Sequence, residues 1–178
     1  MLYKEAFKFI LAQVGDLLNT IDDESIRKSI EMMLNSKKIF IYGAGRSGII
    51  GKSFAMRLVQ LGLTAYFIGE TITPIVTNED SVVLISNTGT TKSTLLVAEI
   101  CKNVGARVIV ITSNEGSPLV RYADEKILLK RYTHNSLAPL GTIFEDSTLL
   151  LLDSLIAQMM QILNQTEEDL KKRHAIWV

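Results

Sequence analysis

Five short apolar segments, separated by turns or by segments of helical periodicity, constrain the fold of this chain most strongly. They occupy residues 38–43, 64–69, 81–86, 106–113 and 125–130. Runs of isoleucine and valine without polar alternation are typical of strands that are buried on both faces of a sheet. Because strands here alternate with helical segments, the sequence predicts an α/β fold with a parallel sheet and right-handed crossovers.

Further helices are predicted at both ends of this alternation. Residues 3–19 carry apolar side chains at spacings of three and four, and Asp22 or Asp23 could cap a second helix. A long helix is predicted over about residues 142–164. Since its middle is apolar nearly all the way round, we expect it to be covered by its own domain and by another subunit.

Composition argues against several classes of function. The 178 residues suit one domain, and hydrophobic residues at 47% suffice for a sizeable core. Nineteen basic residues balance nineteen acidic ones, so no basic face for a nucleic acid is indicated. The single cysteine, Cys101, suits a reducing compartment, and neither a signal peptide nor a membrane-spanning segment is recognisable. We therefore expect a soluble cytoplasmic protein with no nucleic-acid or membrane partner.

The segment that follows the first predicted strand is Gly43-Ala44-Gly45-Arg46-Ser47-Gly48. Its G-x-G-x-x-G spacing is that of dinucleotide-binding loops, in which glycines and a helix N-terminus let the backbone approach a phosphate. An NAD site would also need an acidic residue after the second strand, and Glu70 occupies such a position. The same spacing is compatible with a tight turn that binds no ligand, so the motif alone does not select NAD.

A second polar turn follows the third predicted strand. Residues 86–91 read Ser-Asn-Thr-Gly-Thr-Thr and precede a predicted helix, at the same edge of the sheet as the glycine loop. A structural turn needs one such residue as a helix cap, whereas this one has hydroxyl groups at most of its positions. Hydroxyls and free N–H groups bind a phosphate without carrying charge. Two such turns side by side favour a small phosphorylated ligand that lies across the carboxyl ends of the strands.

Several motifs, in order along the chain, carry a resemblance to a known family. With them the chain resembles the sugar isomerase (SIS) domain family and, within it, the 6-phospho-3-hexuloisomerases. Two of them, GETITP and PLGTIFE, are much more specific than the glycine loop. The motifs are GAGRSG (43–48), FAMRL (54–58), GETITP (69–74), ITSN (111–114) with SPL (117–119), PLGTIFE (139–145) and TEEDLKKRHA (166–175).

The resemblance implies a three-layer α/β sandwich with a five-stranded, flavodoxin-like parallel sheet and helices on both faces. One SIS domain would span residues 1–178, with an N-terminal helical pair over 1–36, the α/β core over 37–165, and a C-terminal helix and tail over 166–178. The implied activity interconverts D-arabino-3-hexulose 6-phosphate and D-fructose 6-phosphate, with no metal or organic cofactor. This step belongs to the ribulose monophosphate pathway of formaldehyde fixation, next to 3-hexulose-6-phosphate synthase. A homotetramer with active sites shared between subunits is also implied.

One turn departs from the family pattern. The second turn of the family usually reads SGSGET, whereas residues 86–91 read SNTGTT. Asn87 stands where the family has glycine, and Thr90 stands where it has glutamate. Asparagine tolerates left-handed backbone angles, and the loss of a negative charge favours phosphate binding. We therefore expect the turn to keep its phosphate and to lack any orienting role of that glutamate.

The implied reaction needs a base and a proton carrier. Moving a carbonyl from C3 to C2 passes through an enediol, which requires one base near both carbons and a group that carries protons between the oxygens. Glu145, in the first turn of the long helix, is the candidate base, and the resemblance implies the same role. His174 is the candidate proton carrier or ring-opening group, and we expect it to reach a neighbouring subunit. The alternatives are helix-dipole roles, at a helix N-terminus for Glu145 and at a helix C-terminus for His174.

The other site residues are expected to bind the substrate and its phosphate. Arg46 would contact phosphate or sugar oxygens, or form a structural ion pair at a subunit contact. Glu70 would touch sugar hydroxyls or pair with a basic residue. No metal site is predicted, because the two histidines and the cysteine lie far apart in sequence, and His134 is expected to be solvated. The predicted substrate-binding residues are Gly45, Arg46, Ser47, Ser86, Asn87, Thr88, Gly89 and Thr91.

Three other functions stay open at this point: a sugar-phosphate-binding SIS module without catalysis, an isomerase of another ketose phosphate, and an NAD-dependent oxidoreductase. Binding without turnover would favour the first. Protection by NAD(H) rather than by hexulose phosphates would favour the oxidoreductase, although 178 residues leave little room for its substrate domain.

Overall fold

The computed structural model describes residues 1–130 and 135–176 of the chain. Two helices precede the first strand, as predicted, and strands and helices then follow one another. A short 3-10 helix, Pro118–Tyr122, lies between the last two strands. The helices are α1 (Leu2–Leu18), α2 (Asp23–Leu34), α3 (Arg46–Gln60), α4 (Lys92–Val104), α5 (Thr142–Ile162) and α6 (Glu167–Lys172), and the strands are β1 (Ile39–Gly43), β2 (Ala65–Phe67), β3 (Ser81–Ile85), β4 (Arg107–Thr112) and β5 (Glu125–Leu128).

The five strands that the structure describes form one parallel sheet in the order β2-β1-β3-β4-β5. This is the flavodoxin-like order, in which the chain leaves β1 towards β2 and then returns to the other side of β1 with β3. The reversal lies between β1 and β3, and ligands bind at the carboxyl edge beside such a point. The predicted fold class, a five-stranded parallel sheet with helices on both faces, is confirmed.

Side chains alternate between the two faces of the sheet and build two hydrophobic cores. Odd-numbered strand residues such as Ile41 and Val83 pack in one cluster with α1, α2, α3 and α5. Even-numbered residues such as Leu84 and Val110 pack with α4. Every residue of β3 is buried, which explains why its sequence, SVVLI, shows no polar alternation.

The short sequence signals at helix starts correspond to real caps. The Asp22 carboxylate accepts a hydrogen bond from the backbone N–H of Ser25 at 3.0 Å and so begins α2. Thr166 and Asp169 form a reciprocal capping box at the start of α6. None of the helices in the described part of the chain is long and apolar enough to cross a membrane.

Two elements differ in detail from the prediction. The strand predicted over residues 64–69 is only three residues long, because Gly69, at φ +105°, turns the chain soon after Ile68 makes its last sheet hydrogen bond. In α5, Phe144 is fully buried, whereas Leu150 and Ile162 are exposed on the single chain. The domain itself therefore covers only part of α5. That another subunit covers the rest stays a prediction.

The glycine loop joins β1 to α3 with almost no space between strand and helix. A Cβ on Gly48 would overlap the carbonyl oxygen of Gly43 and would lie 3.4 Å from the Phe67 ring. A Cβ on Gly43 would lie 2.8 Å from the backbone of Ser47. Close packing of the helix on the strand thus accounts for two of the three glycines, so the spacing by itself is no evidence for NAD.

Replacing Gly48 by alanine is expected to destabilise the protein by about 1–3 kcal/mol, because a methyl group must be inserted between two backbone segments. Gly15→Ala is the matched control, since Gly15 lies inside α1 with nothing within 4 Å of an added Cβ. That change should stabilise by about 0.5–1 kcal/mol. Urea denaturation measures both, and equal free energies of unfolding for the two variants would contradict this packing argument.

Candidate functional site

Three helices begin at the carboxyl edge of the sheet, beside the point where the strand order reverses. Helix α3 begins directly after β1, and α4 begins after the polar turn that follows β3. The first turn of α5 reaches both segments, through Glu145 to Arg46 and through Gly141 to Asn87. The N–H groups of a first helical turn lack helical acceptors and carry partial positive charge. This edge therefore offers several uncharged donors to an anion.

Arg46 and Glu145 form the central contact of this edge. Arg46 Nε lies 2.8 Å from Glu145 Oε2, and its Nη2 lies 3.9 Å from Asp146 Oδ1. The Arg46 side chain is 56% exposed, whereas that of Glu145 is only 13% exposed. Among the described residues, no donor is directed at Glu145 Oε2 well enough to form a hydrogen bond. Charge rather than an aligned N–H holds this pair together, so the buried oxygen keeps the capacity to accept a proton.

The surroundings of Glu145 raise its pKa above the ordinary value of a glutamate. Burial is the largest cause, the Arg46 guanidinium acts in the opposite direction, and the Asp146 carboxylate adds to the rise. Burial also raises the pKa of Asp146, again opposed by Arg46. A carboxylate with a raised pKa is a stronger base than an exposed one. This setting suits a general base better than a surface carboxylate that only stabilises a helix N-terminus.

The second polar turn directs its hydroxyl groups towards one another and towards α4. Ser86 is buried, accepts a hydrogen bond from the Gly89 N–H at 3.2 Å, and has its Oγ 3.4 Å from Thr91 Oγ1. The hydroxyl groups of Thr88 and Thr90 are exposed and lie 2.9 Å apart. Gly89 has φ +64° and no room for a Cβ, so the turn requires glycine there. Hydroxyls and the N-terminal N–H groups of α4 together are suited to bind an anion without a charged side chain.

The Asn87 side chain bonds to Ser113, just after β4, and reaches Gly141 at the start of α5. Ser113 Oγ donates to Asn87 Oδ1 at 2.7 Å, and the Thr112 hydroxyl donates to the Asn87 carbonyl at 3.0 Å. The other end of the amide lies against Gly141. A Cβ on Gly141 would be 3.4 Å from Asn87 Nδ2 and 3.3 Å from Glu145 Oε1. One residue of the predicted phosphate turn is therefore a neighbour of the candidate base.

The remaining residues of the glycine loop and the segment after β2 border the same edge. Gly45 is the N-cap of α3, and Ser47 is buried in its first turn. Glu70 lies 3.6 Å from Lys52, which in turn lies 5.0 Å from the centre of the Phe67 ring. Of the two roles predicted for Glu70, the structure therefore contains the ion pair with a basic residue.

His174 lies apart from the other predicted site residues of the same chain. It is exposed, just after the end of α6. Arg173 fixes this segment to the C-terminal end of α3 by donating to the carbonyl of Gln60 at 3.2 Å. Arg46 begins that same helix, and its 15 residues span about 22 Å. The structure therefore does not bring His174 to the candidate base within one chain.

Sequence reasoning missed three residues at this edge. Ser113 orients Asn87, Asp146 adds a second carboxylate near Arg46, and Gly141 leaves room for the side chains that meet above it. The sequence carries a signal for two of these residues, Ser113 and Asp146. A serine directly after a buried strand belongs to the carboxyl edge, and consecutive acids in a helical first turn point to a carboxylate pair.

Within the described residues, no group of three His, Cys, Asp or Glu side chains could hold a metal ion. His134, which the sequence predicts to be solvated, lies outside the described residues. The same holds for Trp177 and Val178, at the end of the C-terminal tail.

Comparison with known proteins gives consistent matches over nearly the whole chain. The family model described as SIS domain matches residues 32–160. A Methanocaldococcus jannaschii protein named 3-hexulose-6-phosphate isomerase is 44% identical over 145 residues, covering 82% of this chain and 79% of that protein. A Bacillus subtilis protein of the same name is 32% identical over 173 residues, covering 93% and 94% of the two chains.

A solved structure agrees with these sequence matches. It is the crystal structure of a Methanococcus jannaschii protein for which the function of 3-hexulose-6-phosphate isomerase was inferred. That protein is 38% identical, has a TM-score of 0.91, and is matched over 98% of this chain and 99% of its own. The glycine loop, the second polar turn and the first turn of α5 all lie within the range of the family model. The chain belongs to the SIS domain family.

Proposed function

We propose that this protein is a 6-phospho-3-hexuloisomerase, which interconverts D-arabino-3-hexulose 6-phosphate and D-fructose 6-phosphate. One observation carries the proposal: a mostly buried carboxylate, Glu145, lies at the same sheet edge as the uncharged polar turn of residues 86–91. A ketose 6-phosphate needs both, since it carries its phosphate at one end and its reacting carbons towards the other. Relatives named for this activity, at 44% and 32% identity, support it.

In this proposal the phosphate binds to residues 86–91 and to the N-terminus of α4. The hydroxyl groups of Ser86, Thr88 and Thr91 donate to it, and Gly89 forms the tight turn that brings them together. Such donors bind a phosphate without a charged partner. Gly45 and Ser47 border the adjoining end of the site. Arg46, half-exposed beside the base, supplies the positive charge for the sugar oxygens or the phosphate.

Glu145 moves the carbon-bound proton. Starting from the 3-ketose, it takes the proton of C2, the electron pair forms a C2–C3 double bond, and O3 becomes an enediolate oxygen. The same carboxyl returns the proton to C3, while O2 loses its proton and becomes the new carbonyl. The net transfer of a proton from O2 to O3 needs a second group, which we assign to His174 of a neighbouring subunit. The exposure of His174, about a helix length from Glu145 in its own chain, supports this assignment.

We propose a homotetramer with shared sites as the active form. A two-fold dimer uses one self-complementary face, whereas several exposed apolar faces favour a larger closed assembly. Such faces occur on α1, α3 and α4 of the single chain, in addition to the exposed side of α5. The exposed side chains are Leu2, Tyr3, Phe7 and Leu11 on α1, Ile49, Met56 and Val59 on α3, and Leu96, Ile100 and Val104 on α4.

The proposed reaction places the protein in the ribulose monophosphate pathway of formaldehyde fixation, in the cytoplasm. A 3-hexulose-6-phosphate synthase would form the ketose that this enzyme converts. Because isomerisation moves protons and leaves the overall oxidation state of the sugar unchanged, it needs no external oxidant or reductant. No metal or organic cofactor is part of the proposal.

Binding without catalysis is the second candidate function. It is favoured by the absence of a carboxylate from the turn at residues 86–91, where the family usually has glutamate. It predicts that hexulose phosphates raise the melting temperature of the protein without being converted. Since Glu145 is present and its side chain is only 13% exposed, catalysis is the better supported function.

Glu145→Gln is expected to lower kcat by at least about 10²-fold, because glutamine keeps the shape of glutamate but cannot take the carbon-bound proton. Ligand binding should persist, since the phosphate turn is untouched. Conversion is measured by NMR, without added metal or nucleotide, and binding by the ligand-induced thermal shift. Glu79→Gln is the matched control, because Glu79 is an exposed acid just before β3, at the opposite edge of the sheet.

The pH profile is the second readout for Glu145. Its carboxylate must be ionised to act as a base, so activity should fall as the pH falls through its raised pKa. That decline should begin at a higher pH than an ordinary glutamate would give. A near-normal rate in Glu145→Gln, or an unchanged acidic decline in its residual activity, would reject the role.

Chains that carry Glu145→Gln and chains that carry His174→Ala should restore activity when they are allowed to form mixed oligomers. If each site takes its base from one subunit and its histidine from another, random mixing leaves about a quarter of the sites intact. The measurement is the rate after joint refolding, compared with the separately refolded variants. A rate no higher than the sum of the two parents would show that both groups act within one chain, or that His174 has no role.

A further inference from the structure

We propose that Asn87 is a catalytic residue, whose side-chain amide donates a hydrogen bond to the enediolate oxygen that forms beside Glu145. The inference rests on the isomerase function proposed above. It moves Asn87 from the phosphate end of the substrate, where the sequence alone placed it, to the reacting end.

The backbone and side chain of Asn87 are held by the end of β4. The Asn87 carbonyl accepts hydrogen bonds from the Thr112 hydroxyl at 3.0 Å and from the Ser113 N–H at 3.1 Å. Ser113 Oγ lies 2.7 Å from Oδ1 and fixes the rotation of the amide. A donor that is fixed before the substrate binds stabilises developing charge without a cost of reorganisation.

The N–H end of this amide and the carboxyl group of the base both lie over Gly141. The Cβ position of Gly141 is 3.4 Å from Asn87 Nδ2 and 3.3 Å from both Cδ and Oε1 of Glu145. Rotating the amide by half a turn would point Oδ1, an acceptor, at a carboxylate that is also only an acceptor when ionised. The orientation with Nδ2 towards Glu145 is therefore the favourable one.

The geometry of the reaction brings the substrate oxygens to this amide. A carboxylate that takes a proton from carbon must lie about 3–3.5 Å from that carbon. The oxygens O2 and O3 are bonded to the same two carbons, so a donor that neighbours the carboxylate is within their reach. Arg46 Nε lies 2.8 Å from Oε2 of Glu145. Asn87 lies on the side of Oε1. The two side chains can therefore contact the sugar oxygens from different sides of the carboxylate.

The hydroxyl groups of the turn support a division of roles, in which they bind the phosphate and Asn87 serves the reacting carbons. The hydroxyl groups of Ser86 and Thr91 lie 3.4 Å apart at the start of α4, and those of Thr88 and Thr90 lie 2.9 Å apart. Among contacts between described residues, Asn87 is the member of this turn whose side chain hydrogen-bonds to Ser113, just after β4, and reaches Gly141 at the start of α5. An uncharged donor is also suited to this place, because it stabilises an oxyanion without adding a second cation beside the base.

The test separates catalysis from phosphate binding in Asn87→Ala and Asn87→Asp. Values of kcat and KM are measured for 3-hexulose 6-phosphate, and affinity is measured by calorimetry for glucitol 6-phosphate, which has the phosphate and hydroxyls but no carbonyl. Asn87→Ala should lose about 10²-fold in kcat, as is typical when one oxyanion donor is removed. Its affinity for glucitol 6-phosphate should be unchanged.

Asn87→Asp keeps the shape and the Ser113 contact but lacks the N–H, so it guards against a loss caused by misfolding. Its kcat should fall at least as far. The acidic decline of its pH profile should also begin at a higher pH, because a second carboxylate beside Glu145 raises the pKa of that base. If Asn87 only held the turn in shape, neither kcat nor the pH at which the acidic decline begins would change.

Three different results would overturn the role of Asn87, and each has its own meaning. An unchanged kcat in both variants, with an active wild type, overturns the role of Asn87 alone. Loss of glucitol 6-phosphate affinity with kcat unchanged makes Asn87 a phosphate ligand and also overturns it. A wild type that binds ketose phosphates but converts none overturns the proposed function and the role of Asn87 together.

Discussion

In a parallel sheet all strands end at one edge, and in this chain three helices begin there. That constraint brings the unpaired N–H groups of α3, α4 and α5 together beside the point where the strand order reverses. It depends on close packing, since Gly43 and Gly48 leave no room for a side chain between β1 and α3. The contact between Arg46 and Glu145, 2.8 Å long, then ties the starts of α3 and α5 to each other.

In the proposed function, the electrostatics of this edge divide the substrate between two environments. A phosphate brings negative charge, and it is best received where only hydroxyls and N–H groups are present, as at residues 86–91. The proposed base, Glu145, has a different setting: its carboxylate is mostly buried, burial raises its pKa, and Arg46 limits that rise. Asn87 lies at the boundary of the two, in the turn by sequence and beside Glu145 by its side chain.

Local sequence predicted the strands and the polar edge, because these depend on runs of neighbouring residues. The candidate base was inferred instead from its place in a long apolar helix and from the family resemblance, and its role stays a prediction. The 81–86 segment reads as a buried strand by itself, and it is one. The partner of Arg46 could not be predicted, because Glu145 comes from a distant helix and only the packed sheet brings the two together. The direction of Asn87 likewise depends on Ser113 of a neighbouring strand end. The distance of His174 from the base follows from how Arg173 anchors α6, which no local pattern encodes.

The most direct test is a crystal structure of the Glu145→Gln variant with fructose 6-phosphate, in which slow turnover retains the ligand. The account predicts the phosphate against residues 86–91 and C2 or C3 within about 3–3.5 Å of the residue-145 side chain. A phosphate bound elsewhere, or reacting carbons turned away from α5, would contradict it.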